Sequence, residues 1–258
     1  MLIDSHCHLD RIDLKPYKND FDNFMLDVKA KHIEHMLCIS IELESYPNML
    51  GLINDHQNIS ATVGVHPNVK DGQDPSIEEL IALGRNNKVI GIGETGLDYF
   101  RSDGDLEWQR QRFRNHIHAA KIVNKPLIIH TREAKNDTLR ILKEEGAEQT
   151  GGIIHCFTED WEFAKSAIDL NFYISFSGII TFNNTDSIKE VAKKIPENRM
   201  LIETDSPYLA PTPYRGKPNY PTYVHYVAEQ IATLKGVTFN KIAETTTNNF
   251  YELFNIRE

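Results

Sequence analysis

The chain has 258 residues, 40% of them hydrophobic, enough to build the core of one barrel-sized domain. Its net charge of −9 excludes a broad electrostatic grip on nucleic acid or anionic lipid, though not a local site for a phosphate. No apolar run approaches the roughly 18 residues that span a bilayer. With no charged-then-apolar leader and three cysteines in no framework spacing, a cytoplasmic protein with reduced thiols is expected.

Eight short apolar runs follow one another along the chain: Leu2–Asp4, Met36–Ile41, Ser60–Val65, Val89–Ile92, Pro126–Ile129, Gly152–Ile154, Tyr173–Phe176 and Met200–Ile202. They stand far enough apart for each to be a strand followed by a crossover helix. Phe113, Ile117, Ala120 and Val123 form one helical stripe. Val224, Val227, Ile231 and Leu234 form another, with Gly236 as its stop. Eight strands alternating with helices predict an α/β chain, a single-domain (β/α)8 TIM barrel covering 1–258. A doubly wound open sheet shares the local alternation, so the count of eight decides the preference.

The polar residues that punctuate these runs are unusual. His6 and His8 follow the first run in "IDSHCHLD". His66 follows "ATVGV", Glu94 follows "VIGIG", His130 follows "PLII", His155 follows "GGII" and Asp205 follows "MLIET". In a parallel barrel the C-terminal strand ends open onto one face, so residues far apart in sequence meet there. In an extended segment residues i and i+2 point the same way, so His6 and His8 share a side while Cys7 turns away. His6, His8, Glu94, His130, His155 and Asp205 are too many ligands for one tetrahedral ion. They suit two cations that share a bridging carboxylate. Any one of these histidines alone would more readily be an ordinary hydrogen-bonded residue; the coincidence of six strand-end donors favours the metal reading.

"IDSHCHLD", "VGVHP", "GIGETGLDY", "KPLIIHTREA", "GGIIHCF", "LIETDSPYLAP" and "RGKPN" together resemble the TatD family of metal-dependent hydrolases and deoxyribonucleases, within the amidohydrolase-type barrels. The likeness runs from residue 3 to residue 219. It implies that His6, His8 and Asp205 hold one ion, that His130 and His155 hold a second, and that Glu94 bridges them. No modified lysine is required. Glu94 and Asp205 are then the expected catalytic carboxylates, with Asp205 accepting a proton from the attacking water. The resemblance implies magnesium, whereas the imidazoles favour zinc, manganese, iron or cobalt. The expectation is two divalent ions, magnesium or manganese in function and a transition metal as bound.

Around this set, His66, Arg132, Tyr99, Glu203 and Arg215 are the expected substrate-binding residues. Arg132, two residues beyond His130, suits a bidentate grip on a phosphate. Glu203 is expected to share the face of Asp205 in an extended segment and to orient a ligand or a water. The segment "DSPYLAPTPYRGKPNYP" carries five of the eleven prolines and has no helical period. Its Arg215, Lys217 and Asn219 read as contacts to a nucleic-acid strand, with Tyr208 and Tyr214 as stacking surfaces; Phe100 and Arg101 are further rim candidates. Cys7, Cys38 and Cys156 read as small core residues within apolar strands.

The expected reaction is hydrolysis of DNA phosphodiester bonds at ends or on single strands, by a monomer without a membrane or an obligate protein partner. The ligands do not discriminate this from hydrolysis of an ester or amide, including removal of a D-amino acid from transfer RNA. A catalytically idle binding barrel has no use for six convergent donors.

Overall fold

The computed structural model describes residues 1–72 and 74–256. The strands are β1 (Leu2–Cys7), β2 (Ile33–Cys38), β3 (Ile59–Val63), β4 (Val89–Asp98), β5 (Leu127–Arg132), β6 (Gly152–Ile154), β7 (Phe172–Phe176) and β8 (Met200–Ile202). They form one sheet in chain order. Each is followed by a helix: α1 (Phe21–Ala30), α2 (Tyr46–Ile53), α3 (Ile77–Gly84), α4 (Glu107–Val123), α5 (Lys135–Glu144), α6 (Trp161–Asp169), α7 (Asp186–Lys194) and α8 (Val224–Lys235), with α9 (Phe239–Phe254) added at the end. Parallel pairing in sequential order with a helix after every strand is the (β/α)8 TIM-barrel fold. Among the described residues no helix is long and apolar enough to cross a membrane.

The chain divides into two compact units. Met1–Cys38 with Ser175–Glu258 make the first, and Ile39–Ile174 the second. In the first, β1 is buried along its whole length, and Cys7 bridges in parallel to Ser206, just past β8. The start of β8 is pinned by α9, where the buried Asn249 amide donates to the carbonyls of Glu197 and Met200. Asp20 caps α1 by accepting from the amides of Asp22 and Asn23, and Gly236 ends α8 in the left-handed conformation.

The second unit is built on β3 to β6 and α2 to α6. The α4 stripe faces inward through Phe113, Ile117 and Ala120, while Val123 is half-buried. His116, on that helix, is fully buried and joins it to the chain after β3: its Nδ1 meets the Arg112 carbonyl at 2.8 Å, and its Nε2 accepts from the Val65 amide at 3.0 Å.

All eight apolar runs lie on strands, but several boundaries differ. β1 continues to Cys7, β4 to Asp98 and β5 to Arg132, so His6, Glu94 and His130 lie within strands rather than after them. The register shifts at His6 and Glu94, and past the second shift the β4–β5 ladder runs on: Gly96 opposes His130, Leu97 opposes Thr131 and Asp98 opposes Arg132. A run defined by hydrophobicity stops at the first polar residue, whereas backbone pairing does not. β2 and β3 instead end early, at Cys38 and Val63.

Candidate metal centre and its surroundings

His6 is the penultimate residue of β1, His8 follows the strand, and Asp205 lies three residues past the end of β8. Two backbone bonds lock these segments together: the Asp205 amide donates to the His6 carbonyl at 2.9 Å, and the His8 amide donates to the Ser206 carbonyl at 2.8 Å. The Asp205 Oδ1 oxygen then stands 3.3 Å from His8 Nε2 and 3.6 Å from His6 Nε2. The two imidazoles are buried, with ring centroids 5.1 Å apart. One ligand atom from each of the three residues falls within 4.8 Å of the others, a spacing fit for one ion.

Asp4, two residues before His6, braces this corner. Its carboxylate accepts from the Thr204 amide at 2.9 Å, the Thr204 hydroxyl at 2.5 Å and the His6 amide at 3.3 Å. Burial nevertheless pushes its carboxyl up to about 8, against those bonds. Asp205 is left-handed at φ 56°, so the chain is not extended there, yet the carboxylates of Glu203 and Asp205 both approach His6. Glu203 is fully buried, its amide donates to the Phe176 carbonyl, and a carboxylate oxygen lies within 4.8 Å of a His6 ring nitrogen.

In the second unit, Glu94 is buried in β4, and its Oε1 oxygen meets three imidazoles. His155 Nε2 is 2.8 Å away, and His130 Nδ1 and His66 Nε2 are each at 3.3 Å. Burial alone would raise the Glu94 carboxyl. The facing rings of His155, His66 and His130 outweigh that and hold it well below the usual carboxylate range.

The other ring nitrogens fix what each imidazole offers. His66 Nδ1 accepts from the Asn68 amide at 3.0 Å, so the neutral ring carries its proton on Nε2, toward Glu94. Burial lowers the His66 pKa, against the pull of Glu94, which keeps the ring neutral and a donor. His130 is turned the other way. Its Nε2 faces Asp98 Oδ2 at 3.2 Å, and with a proton there a neutral ring presents a bare Nδ1 to Glu94. Against burial, which lowers it, the hydrogen bonds to Asp98 and Glu94 raise the His130 pKa; once the ring is neutral, its Nδ1 lone pair facing the carboxylate is repulsive unless a cation replaces the lost proton. The donor set therefore fits a divalent cation held by nitrogen and oxygen ligands.

Asp98 was missing from the sequence-based set and is central to this arrangement. It is 1% exposed and accepts from the Asn68 side chain at 2.8 Å and the Arg101 amide at 2.9 Å as well as facing His130. Although burial opposes it, these bonds hold its carboxyl far below the ordinary value. The signal was its position four residues after Glu94, within "GIGETGLDY". Gly96 lets this segment form: at φ 130° it lies against the His130 carbonyl, where any Cβ would collide.

The outlying expectations divide. Arg132 ends β5 with its guanidinium carbon 3.9 Å above the Phe100 ring. Tyr99 is engaged elsewhere: its hydroxyl donates to Asp137 at 2.6 Å and accepts from Arg110 at 3.1 Å, and it lines a cavity of about 440 Å³ with Glu133, Lys135 and Glu159. Arg215 is exposed, stacked on Phe182 at 4.4 Å, and Lys217 is exposed near the Tyr214 ring. Tyr208 is half-exposed with its ring 5.8 Å from that of His8.

Three expectations are corrected. Asn219 is fully buried and braces its own loop, donating to the carbonyls of Thr204 and Tyr208 and accepting from the Tyr220 amide, so it has no surface to offer a strand. Tyr214 lies parallel to Tyr223 at 4.4 Å within a tyrosine cluster, which uses one of its faces. Cys7 and Cys38 are buried in strands as expected, but Cys156 lies two residues past β6, half-buried and left-handed at φ 44°.

A family model described as TatD related DNase matches residues 3–255. The chain belongs to the TatD family. It is a metal-dependent hydrolase, as the names of its relatives also state. It is 44% identical to the uncharacterized metal-dependent hydrolase YcfH of Escherichia coli K12, over 99% of this chain and 96% of that one. To YabD of Bacillus subtilis it is also 44% identical, over 99% of this chain and 100% of that one. The crystal structure of the TatD homologue YjjV from Escherichia coli K12 superposes with a TM-score of 0.91 at 28% identity, covering 99% and 98% of the two chains.

Proposed function

We propose that this TatD-family hydrolase is a deoxyribonuclease that cleaves phosphodiester bonds on single strands or at ends, with 1–258 acting as one catalytic domain. The observation that carries this reading is the donor set around Glu94: His155, His130 and His66 converge on one buried carboxylate oxygen, with Asp98 behind His130. His6, His8 and Asp205 would hold one divalent ion, His130 and His155 a second, and Glu94 would bridge them, as the resemblance implies. Such ions supply an acidified water and neutralise charge on the phosphate.

The chain's own groups do the rest. The Asp205 carboxylate takes the proton of the attacking water. On substrate binding the Nε2–H of His66 would turn from Glu94 to a phosphoryl or leaving oxygen, which its tautomer prepares it to do. Arg132, on the strand that carries His130, grips a neighbouring phosphate. Positive charge confined to this locality reconciles an anionic substrate with a net charge of −9.

The test is incubation of metal-replete protein with end-labelled single-stranded DNA, blunt duplex, closed circular DNA and a D-aminoacyl ester. Cleavage of the single strand and the duplex ends, abolished by Glu94→Ala or Asp205→Ala, supports the reading. Turnover of the aminoacyl ester alone would assign the centre to ester hydrolysis.

A further inference from the structure

The segment after β4 holds an aromatic ring that the hydrolytic chemistry leaves unused. Phe100 is 55% exposed, the only exposed phenylalanine among the described residues. It is not at the tip of a loose loop, because its neighbours on both sides are fixed. The Asp98 amide donates to the buried Gln109 side chain at 3.0 Å, and the Gln109 amide group reaches Ser102 at 2.8 Å. The Arg101 amide donates to Asp98 at 2.9 Å, and the Tyr99 amide donates to the Arg132 carbonyl at 2.9 Å. The backbone holds Phe100 outward.

What covers part of that ring is equally specific. The Arg132 guanidinium carbon lies 3.9 Å from the ring centroid. Arg132 and His130 are two residues apart in β5, so their side chains leave the strand on the same side. A planar cation over an aromatic face, on the side of the strand that carries a candidate ligand, presents a flat apolar surface and a phosphate partner together. An unpaired nucleobase with its own phosphate matches both halves. A base inside an intact duplex offers neither of its faces.

We propose that Phe100 and Arg132 form a stacking platform that receives an unpaired nucleobase beside the phosphate to be cleaved. The proposal rests on the phosphodiesterase reading above and narrows it to single strands or frayed termini. Phe100 supplies the stacking face, and Arg132 orients both that face and the adjoining phosphate.

The experiment reads binding rather than turnover. Fluorescence anisotropy on the metal-loaded protein compares a nuclease-resistant phosphorothioate single strand with the same backbone carrying abasic residues. The wild type is expected to bind the base-bearing strand about tenfold more tightly. Phe100→Ala and Phe100→Leu lose that preference, Phe100→Trp restores it, and Arg132→Gln weakens both strands. Equal binding of the two strands by the wild type, or an unaltered preference in Phe100→Ala, overturns the platform and leaves the nuclease reading standing. Binding of neither strand overturns both.

Discussion

Replacing Asp98 by Asn removes one charge without changing shape, in a place where the charge is fully engaged. Oδ2 faces His130 Nε2 at 3.2 Å and Asn68 Nδ2 at 2.8 Å, while Oδ1 accepts from the Arg101 amide at 2.9 Å. An amide matches only one side of this ring of donors. With its oxygen toward His130 and Asn68, its NH2 opposes the Arg101 amide; flipped, it opposes the other two. The better orientation leaves one buried donor unmatched, a cost of about 1–3 kcal/mol. It also weakens the bond that, in a neutral His130, keeps the proton on Nε2 and leaves Nδ1 for a cation, and losing such a supporting carboxylate lowers metal affinity about 10–100-fold. Because the Asp98 carboxyl is held below its unfolded value, its contribution is present above the ordinary carboxylate range and is lost as pH falls through it. Calorimetric metal titration and thermal unfolding at neutral pH read both effects. A variant with wild-type melting temperature and wild-type metal affinity would refute the claim that Asp98 sets the His130 tautomer.

Asn219→Ala strips a donor from the Thr204 and Tyr208 carbonyls and an acceptor from the Tyr220 amide, a loss of about 3 kcal/mol or more that chemical denaturation will measure. Gly96→Ala places a Cβ against the His130 carbonyl at a left-handed φ, which costs about 1–3 kcal/mol in strain alone and is expected to lower metal content by elemental analysis. Burial holds His116 down at about 4 rather than the usual 6.5, so the unfolded chain binds the extra proton first and stability falls as pH drops from 6.5 toward 4. That slope, on the order of 3 kcal/mol across the window, disappears from the pH-dependence of unfolding in His116→Phe, whose overall stability is lower at neutral pH.

The eight runs were legible because parallel strands covered on both faces are continuous in hydrophobicity. The strand extensions were not, since β4 and β5 keep pairing through Glu94, Asp98, His130 and Arg132, residues that a hydrophobic criterion reads as loop. His6 with His8 was visible from the period of a strand, whereas the left-handed residue at Asp205 was not legible in the sequence. Asn219 shows the other limit: a polar residue in a proline-rich loop reads as surface. Only the three-dimensional path of the loop reveals that its amide satisfies carbonyls the prolines leave without backbone donors nearby.

An acidic chain proposed to act on an anionic polymer is paradoxical only while its carboxylates are treated as a field. Around the candidate ligands they are consumed locally: Glu94 by three imidazoles, Asp98 by His130 and Asn68, Asp4 by Thr204. The same holds farther out, where Asp137 is shared among Tyr99, Arg110 and Arg140. Glu94 and Asp98 face ring nitrogens, whereas Asp4 braces the His6 and Thr204 backbone. The site's character toward substrate is then set by the His66 N–H, held by Glu94 until a substrate oxygen replaces it, by the Arg132 guanidinium above Phe100, and by whatever cations the ligands hold. Net charge describes how such a protein behaves in solution. It does not describe what a phosphate meets at the end of β5.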